Sequence, residues 1–236
     1  MEEKLIVVAR IHTGFKEKFG IPRQSGLVPS LKAEIHFEGE FSNPDAIRGI
    51  EEYSHLWLIW GFTKAGWEKR NLTVAPPRLG GKERRGIFAT RSPFRPNSLG
   101  LSSVKLEEVR RGERGETILV VSGADLLDGT PIYDIKPYLP YTDLHPEAVG
   151  GFGQAHKADG IRIIFPEELK ELLPIKIRET VEELLKQDPR AAYNKKEDYV
   201  YGMHYDGYDI RFSVTEGSLT VREVIKAKAE GWKKVK

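Results

Sequence analysis

Short stretches of alternating apolar and polar residues, separated by proline and glycine turns, fill most of the N-terminal part of the chain. This period-two pattern predicts β-strands, at residues 5–11, 33–37, 101–109 and 117–121. The most hydrophobic segment is residues 53–62, which predicts a central strand buried on both faces, with Trp57 and Trp60 in the core. The apolar residues 87–89 predict one more short strand. A short helix is predicted to start at Asn43 and to run through Ile50. The N-terminal part is therefore predicted to be mainly β, as a sheet or barrel.

The pattern changes after residues 144–160, which are rich in Gly, His and Ala and have little periodicity. Residues 174–186 have apolar side chains at helical spacing, which predicts an amphipathic helix. Residues 199–205, 208–215 and 218–224 then predict three strands joined by two X-Gly turns. We therefore expect a barrel-like N-terminal domain at 1–155 and a small α+β C-terminal domain at 156–236.

Composition narrows the class of protein. An apolar fraction of 39% and a charged fraction of 31% are typical of a water-soluble globular protein. No apolar run approaches the ~20 residues of a membrane span. The absence of cysteine excludes disulfides, thiolate metal sites and cysteine nucleophiles, and it favours a cytoplasmic location.

The loop at residues 90–98 carries two prolines and two arginines, Arg91 and Arg95. Proline restricts the loop to few conformations, and arginine offers a planar fork of donors for carboxylate, phosphate or a base edge. The loop is therefore a candidate for ligand binding; the alternative is that both arginines are surface charges paired with acids. Residues 78–95 contain six basic residues and one acid, Glu83, which fits a phosphate-rich partner although the net charge is only +2.

Four carboxylates, at Asp125, Asp128, Asp134 and Asp143, follow the predicted strands. Their spacing matches neither a calcium loop nor a histidine–carboxylate metal site, so no metal is expected. They are candidates for accepting hydrogen bonds from a ribose hydroxyl or an amine, or for capping turns. The sequence also lacks the dinucleotide-binding, P-loop, nucleophile-elbow and zinc-protease motifs.

Five motifs, taken together in this order, resemble one known family. They are PRQSGL at 22–27, PPRLGG at 76–81, ATRS with FRPN at 89–97, DGTP with DIKPY at 128–138, and QDPR at 187–190. They are similar to the TsaA/TrmO-type family, which methylates N(6)-threonylcarbamoyladenosine in tRNA and has a β-barrel fold. The resemblance implies an enzyme that uses S-adenosylmethionine, forms a homodimer and acts on the anticodon stem-loop of threonine tRNA, at the modified adenosine just 3′ of the anticodon.

The resemblance also implies which residues bind the methyl donor: Pro22, Arg23, Gln24, Thr63, Lys64, Arg91, Leu101, Ser122, Gly123, Ala124 and Asp125. The pair Thr63-Lys64 departs from the His-Gln pair of the best-known bacterial members. We expect Arg23 and Arg91 to bind the donor carboxylate or RNA phosphates.

Asp125 is expected to accept from the donor's ribose or amine. For catalysis, Asn97 or Asp128 is expected to orient the target amine. Phe94 or Tyr138 is a candidate for stacking on a base, and each is also a candidate for the core.

Two other functions fit the same residues. One is a module that binds S-adenosylmethionine or RNA without catalysis. The other is a metal-dependent hydrolase that uses the carboxylates between residues 125 and 143.

Overall fold

Six N-terminal strands close into a barrel. The structure is a computed structural model that describes residues 4–63, 71–113, 115–155, 160–190, 196 and 199–227, with only the backbone at Arg78. The barrel strands are β1 (Ala9–His12), β2 (Lys32–Phe37), β3 (His55–Gly61), β6 (Leu99–Arg111), β7 (Thr117–Ser122) and β8 (Thr130–Pro137). Around the barrel they follow the order β1-β2-β7-β6-β3-β8, and each neighbouring pair is antiparallel. Closure leaves no free strand edge in the barrel. The mainly β prediction is thus confirmed.

Strand β3 shows how closure changes the burial expected from sequence. Leu56, Leu58 and Trp60 point into the barrel and are buried, whereas Trp57 and Ile59 lie on the outer face and are half-buried. The prediction of a strand buried on both faces, with Trp57 in the core, was therefore wrong. Because the sheet closes on itself, each barrel strand has one face towards the interior and one towards the outside, and its residues alternate between the two.

Two short strands, β4 (Thr73–Val74) and β5 (Arg85–Gly86), form a separate ribbon beside the barrel. The strand predicted at residues 87–89 is instead a 3-10 turn, Ile87–Ala89. The backbone N–H of Thr90 donates to the Ile87 carbonyl, and so does its hydroxyl, which closes the turn. Three further 3-10 turns, Gly39–Ser42, Pro44–Ile47 and Ile50–Glu52, link β2 to β3. Asn43 caps the second of them, as the sequence predicted, by accepting from the Asp45 N–H at 3.0 Å. The single helix predicted through Ile50 was wrong, since the second turn ends at Ile47 and a separate turn begins at Ile50.

The C-terminal part contains a four-stranded sheet in the order β10-β11-β12-β9, with β9 parallel to β12. The strands are β9 (Arg162–Ile164), β10 (Tyr201–Tyr205), β11 (Tyr208–Thr215) and β12 (Ser218–Lys226). The helices are α1 (Pro140–Asp143), α2 (Gly151–Ala155), α3 (Glu167–Lys170) and α4 (Ile175–Lys186). The predicted helix and three-stranded meander are confirmed. None of the helices in the described ranges is long and apolar enough to cross a membrane.

A single hydrophobic core joins the two parts of the molecule. It includes Leu58 and Val121 of the barrel, Val181 of α4 and Phe212 of β11. Phe15, which is fully buried, belongs to the same core and lies in the loop between β1 and β2. This loop therefore lies between the barrel and the C-terminal sheet.

Candidate functional site

A cavity of about 640 Å³ opens at one end of the barrel. Its volume lies in the range of about 300–1,000 Å³ that is usual for small-molecule sites. It is lined by residues from the β1–β2 loop, the end of β3, the 90–95 loop with the start of β6, and the segment between β7 and β8. They are Lys18, Ile21, Pro22, Arg23, Gln24, Trp57, Trp60, Gly61, Phe62, Thr63, Thr90, Arg91, Pro93, Arg95, Leu99, Gly100, Leu101, Asp125, Leu127 and Thr130.

Most of the residues that the family resemblance assigns to the methyl donor converge on this cavity, although they come from four separate segments. Those that line it are Pro22, Arg23, Gln24, Thr63, Arg91, Leu101 and Asp125. Lys64 lies outside the described residues.

The three residues directly before Asp125 are buried and do not line the cavity; they are Ser122, Gly123 and Ala124. Gly123 holds the β1–β2 loop, since its carbonyl accepts from the Gly26 N–H at 2.8 Å and its N–H donates to the Leu31 carbonyl at 2.9 Å. It has a φ of +77°, and an added Cβ would lie 3.3 Å from Gly26, so glycine is favoured here.

The two arginines of the 90–98 loop have different partners. Arg91 donates from Nη1 to Oε1 of Gln24, so its partner is a neutral amide and its charge is not neutralised by that contact. Arg95 donates from Nη1 to the carbonyl oxygens of Thr90 at 3.0 Å and Ser92 at 3.4 Å. Arg95 therefore stabilises the loop, and Arg91 presents a cation at the cavity. This arrangement fits the ligand-binding hypothesis for Arg91 better than the surface ion-pair alternative.

Asp125 is held by a short chain of hydrogen bonds that starts inside the barrel. The indole N–H of Trp60 donates to Oγ of Ser102 at 3.0 Å, and Ser102 donates to Oδ1 of Asp125 at 2.6 Å. Ser102 and Trp60 are both buried. Burial raises the pKa of the Asp125 carboxyl above its ordinary value of 3.8, while the Ser102 hydrogen bond and the Arg91 charge act in the opposite direction. The cavity thus contains an oriented carboxylate opposite a guanidinium.

Sequence reasoning did not single out Ser102 as part of this site. A signal was available, because β6 alternates and Gly100, Ser102 and Val104 share one face. A serine on the inner face of a barrel strand needs a hydrogen-bond partner. The identity of that partner depends on the fold, because Asp125 follows the neighbouring strand β7.

The two proposed catalytic residues lie away from the cavity lining. Asn97 is exposed in the 90–98 loop. Asp128 accepts from Lys16 Nζ at 2.5 Å and from the Thr13 N–H at 3.1 Å, with His12 Nδ1 at 3.3 Å. Partial burial by itself would raise the pKa of Asp128, but the hydrogen bonds from Lys16 and Thr13 outweigh burial and lower it. Asp128 is thus an ionised anchor at the start of the β1–β2 loop.

The other carboxylates do not meet at a shared centre. Asp134 pairs with Lys136 at 2.9 Å, whereas Asp143 accepts from the Trp57 indole N–H at 2.8 Å and the Leu139 N–H at 2.9 Å. Across the described ranges, no group of three or more His, Asp or Glu side chains is placed to hold a metal ion.

Residues 78–95, here called the basic segment, extend from the β4–β5 ribbon to the 90–98 loop. Lys82 and Arg84 are exposed there, and Arg84 donates to the hydroxyl and carbonyl oxygens of Thr73, both at 2.7 Å. Phe94 is 55% exposed and therefore available for stacking, so its core alternative is excluded. Tyr138 is half-buried and packs on Trp57, with the ring centroids 5.5 Å apart. The surface beside the cavity is therefore basic and partly aromatic, which suits the phosphates and the unstacked bases of a single-stranded RNA loop.

Comparison with known proteins gives consistent matches. Residues 10–144 match the model of the tRNA-methyltransferase O N-terminal domain, and residues 163–227 match that of the TrmO C-terminal domain. The tRNA (adenine(37)-N6)-methyltransferase of Escherichia coli strain K12 is 41% identical over 222 residues, which covers 89% of this chain and 93% of that protein. A putative S-adenosylmethionine-dependent methyltransferase of Pseudomonas aeruginosa is 40% identical over 204 residues, covering 84% and 86%. The crystal structure of TrmO from Pseudomonas aeruginosa superposes with a TM-score of 0.77 at 31% identity, covering 96% of this chain and 98% of that chain.

Proposed function

The chain belongs to the tRNA-methyltransferase O family, and we propose that the cavity at the end of its barrel is where the methyl donor and the target adenine meet. Within this family the chain is an S-adenosylmethionine-dependent methyltransferase that acts on N6 of adenine 37 in tRNA. The observation that supports the location is the convergence of Pro22, Arg23, Gln24, Arg91 and Asp125 on one cavity.

The chemistry of the cavity fits S-adenosylmethionine. The Arg91 guanidinium provides an anchor for the donor's carboxylate, and the Asp125 carboxylate is placed to accept from its ribose hydroxyls or its amine. The apolar side chains of Ile21, Trp60 and Phe62 offer surface for the adenine ring. S-adenosylmethionine supplies a methyl group activated by a sulfonium, so the protein needs no metal and no covalent nucleophile.

Methyl transfer to an amine is an in-line displacement, with nitrogen, methyl carbon and sulfur on one line. The bond from nitrogen to carbon would form as the bond from carbon to sulfur breaks, which leaves a neutral thioether, and the amine proton would be released to water. The contribution of the protein is therefore to hold the two partners in that geometry. We propose Asn97 or Asp128 as the group that orients the amine. Asn97 is exposed on the same loop as Arg91, whereas Asp128 is already bound to Lys16 and Thr13, so Asn97 is the more available of the two.

Several finer assignments belong to the same proposal. The acceptor is N(6)-threonylcarbamoyladenosine in threonine tRNA, the protein is a cytoplasmic homodimer, and the anticodon stem-loop lies on the basic segment. The N-terminal domain, 1–155, holds the donor, and the C-terminal domain, 156–236, contacts tRNA or supports the site. The family resemblance motivates the acceptor and the homodimer, whereas the absence of cysteine motivates the location, the charge of residues 78–95 the RNA surface, and the change of pattern after residue 144 the domain bounds.

The test of the proposed function is mass spectrometry of anticodon-loop nucleosides after incubation with tRNA and S-adenosylmethionine labelled in its methyl group. We expect the label on N6 of the adenosine 3′ of the anticodon, and more of it in threonine tRNA that carries the threonylcarbamoyl group than in tRNA that lacks it. Donor binding without label transfer would instead favour the non-catalytic module. Activity that a chelator abolishes would favour the hydrolase.

Donor affinity should fall as the pH is lowered through the raised pKa of Asp125. Protonation removes the negative charge and one acceptor lone pair, so the donor loses a hydrogen-bond partner.

The effect of the Asp125 pKa on the stability of the fold has the opposite sign to its effect on donor binding. Because burial raises the folded-state pKa above 3.8, the neutral form is favoured in the folded protein, and the free energy of unfolding decreases as pH rises through that window. The Kd for S-adenosylmethionine is measured by calorimetric titration at about one point per pH unit between roughly pH 4 and pH 8.

Asp125→Asn serves as the control for this pH dependence. The variant should bind the donor more weakly than the wild type at neutral pH, with a flat profile through the acidic range. A wild-type profile that is equally flat would contradict the role of Asp125.

Binding of tRNA should depend steeply on salt, because the basic segment displaces counterions from RNA phosphates. With about three phosphates of a single-stranded loop neutralised, affinity is expected to fall by roughly 20-fold between 50 and 200 mM salt. Filter binding at several salt concentrations measures this slope. Lys82→Ala should reduce the slope, whereas Arg48→Ala should leave it unchanged, since Arg48 pairs with Asp45 on another part of the surface. A flat response in the wild type would rule out the basic segment as the RNA surface.

A further inference from the structure

Residues 13–31, here called the cofactor loop, connect β1 to β2 without any helix or strand of their own. Four consecutive residues of this loop, 21–24, line the cavity. A segment of this length without regular structure has many conformations open to it unless other parts of the fold constrain it. The source of that constraint therefore matters for donor binding.

The start of the cofactor loop is held by the β10–β11 turn. The Asp206 N–H donates to the Gly14 carbonyl at 2.9 Å. The Phe15 ring, which is fully buried, lies 5.0 Å from the Tyr205 ring, centroid to centroid. A side chain at Gly14 would place its Cβ 2.6 Å from the Tyr205 ring and 3.1 Å from the backbone nitrogen of Asp206, so the loop lies directly against the turn here.

The middle of the loop packs on the C-terminal sheet immediately before the cavity-lining residues. Phe19 stacks on Tyr201 at 6.4 Å and on Phe212 at 6.5 Å. Gly20 has a φ of +92° and faces Met203, which would lie 2.6 Å from an added Cβ. The backbone entering residue 21 is thus positioned by side chains of β10 and β11.

Arg23 itself is bound to the turn after α4. Its Nη2 donates to the carbonyl oxygen of Arg190 at 2.9 Å. Arg190 is buried, and its guanidinium is paired with both carboxylate oxygens of Asp188, at 2.8 and 2.9 Å. This bidentate pair fixes the carbonyl that receives Arg23.

The end of the loop is anchored to α4. Both the N–H and the hydroxyl of Ser30 donate to Oε2 of Glu183, at 3.2 and 2.7 Å. The Thr180 hydroxyl donates to the Ser30 carbonyl at 3.1 Å. The loop is therefore bound to the C-terminal part at its start, its middle and its end.

We propose that the C-terminal part of the chain is a positioning element for the methyl donor: α4, the turn at 188–190 and the β10–β11 hairpin fix the cofactor loop in the conformation that places residues 21–24 at the cavity. This inference rests on the proposed function, since it takes the cavity as the donor site. Loosening these contacts lowers the fraction of molecules with a binding-competent loop, and the apparent affinity for the donor falls by the same fraction. Conversely, bound donor strengthens the contacts between the loop and the C-terminal part, because coupling of this kind is reciprocal.

The test uses two variants of the whole 236-residue chain, each with a substitution at a residue that does not line the cavity. Glu183→Ala removes the anchor of Ser30, and Asp188→Ala releases the Arg190 turn from its bidentate pair. Glu182→Ala is the matched control, because among the described residues this neighbour on α4 pairs only within the C-terminal part, with Lys170 at 3.0 Å and Lys186 at 3.2 Å. Calorimetry gives the Kd for S-adenosylmethionine, steady-state kinetics separate KM from kcat, and hydrogen exchange reports on residues 13–31 and on β10–β12.

We expect the Kd for S-adenosylmethionine to rise about 5-fold in Glu183→Ala and about 10-fold in Asp188→Ala, as the competent fraction of the loop falls. The kcat at saturating donor and the KM for tRNA should stay at wild-type values, with faster exchange in residues 13–31 only. Glu182→Ala should match the wild type. A merely structural role would instead expose β10–β12 to exchange and lower kcat.

The inference is overturned if either variant loosens the cofactor loop while the donor Kd stays within twofold of wild type. It is also overturned if exchange in the loop does not change, or if the KM for tRNA rises instead of the donor Kd. Failure of the proposed function would look different, since the wild-type protein itself would then not bind S-adenosylmethionine.

Discussion

Replacing Arg91 with alanine should weaken S-adenosylmethionine binding by roughly 30- to 100-fold, the usual loss when a hydrogen bond to a charged group is removed. Arg91 lines the cavity, and its contact with the Gln24 amide leaves the positive charge available to a carboxylate ligand. Loss of the side chain also removes the donor to Oε1 of Gln24. Calorimetric titration of the donor gives the affinity, and initial rates at saturating donor give kcat.

Two controls separate the shape of the Arg91 side chain from its charge. Arg91→Lys keeps the charge but lacks the planar fork, so its affinity should fall between those of the wild type and the alanine variant. Arg48→Ala removes a distant exposed arginine and should change neither constant. Wild-type affinity in Arg91→Ala would exclude Arg91 from the donor site.

Gly100→Ala should both destabilise the protein and abolish most donor binding. An added Cβ at residue 100 would lie 2.2 Å from Cε2 of Trp60 and 2.4 Å from Cζ2, inside a packed barrel wall. Overpacking of this kind costs about 1–3 kcal/mol. In a chain of 236 residues, such a loss lowers Tm by roughly 3–10 °C. A displaced indole also withdraws the hydrogen bond to Ser102 that orients Asp125.

Gly86→Ala is the matched control, because an added Cβ there would have no atom of the described residues within 4 Å and the φ of Gly86 is −57°. It should leave Tm and donor affinity unchanged. Combining Gly100→Ala with Trp60→Phe should restore part of the Tm, since loss of the fused ring removes the contacts at 2.2 and 2.4 Å and leaves only the one at the Cδ2 position, at 2.6 Å. It should not restore the donor affinity, since phenylalanine cannot donate to Ser102. An unaltered Tm in Gly100→Ala would show that the barrel wall can adapt at this position.

Structural features that depend on neighbouring residues in the sequence are the ones that the sequence predicts. The helix α4 and the β10–β12 meander were predicted within a few residues, because helical spacing and X-Gly turns are encoded in adjacent positions. The turn at Ile87–Ala89 was missed, since three apolar residues fit a strand as well as a turn and only tertiary packing distinguishes them.

The candidate site divides in the same way. The motif resemblance assigned Arg23, Arg91 and Asp125 to the donor, and the fold brings all three to one cavity. The partners that orient them, Arg190 for Arg23 and Ser102 for Asp125, lie far from them in the sequence. No local pattern links such positions.

The sequence by itself determined the periodicity of the strands and helix, the stiff proline loops, the family and the chemical types of the site residues. Only the tertiary structure decided the order in which the strands pair around the barrel, that Asp128 is engaged by Lys16 while Asp125 faces the cavity, and that the C-terminal part holds the cofactor loop. The physical reason is range. Periodicity and turn chemistry act between residues a few positions apart, whereas barrel closure, burial and the choice of hydrogen-bond partner depend on which distant segments the complete fold brings into contact.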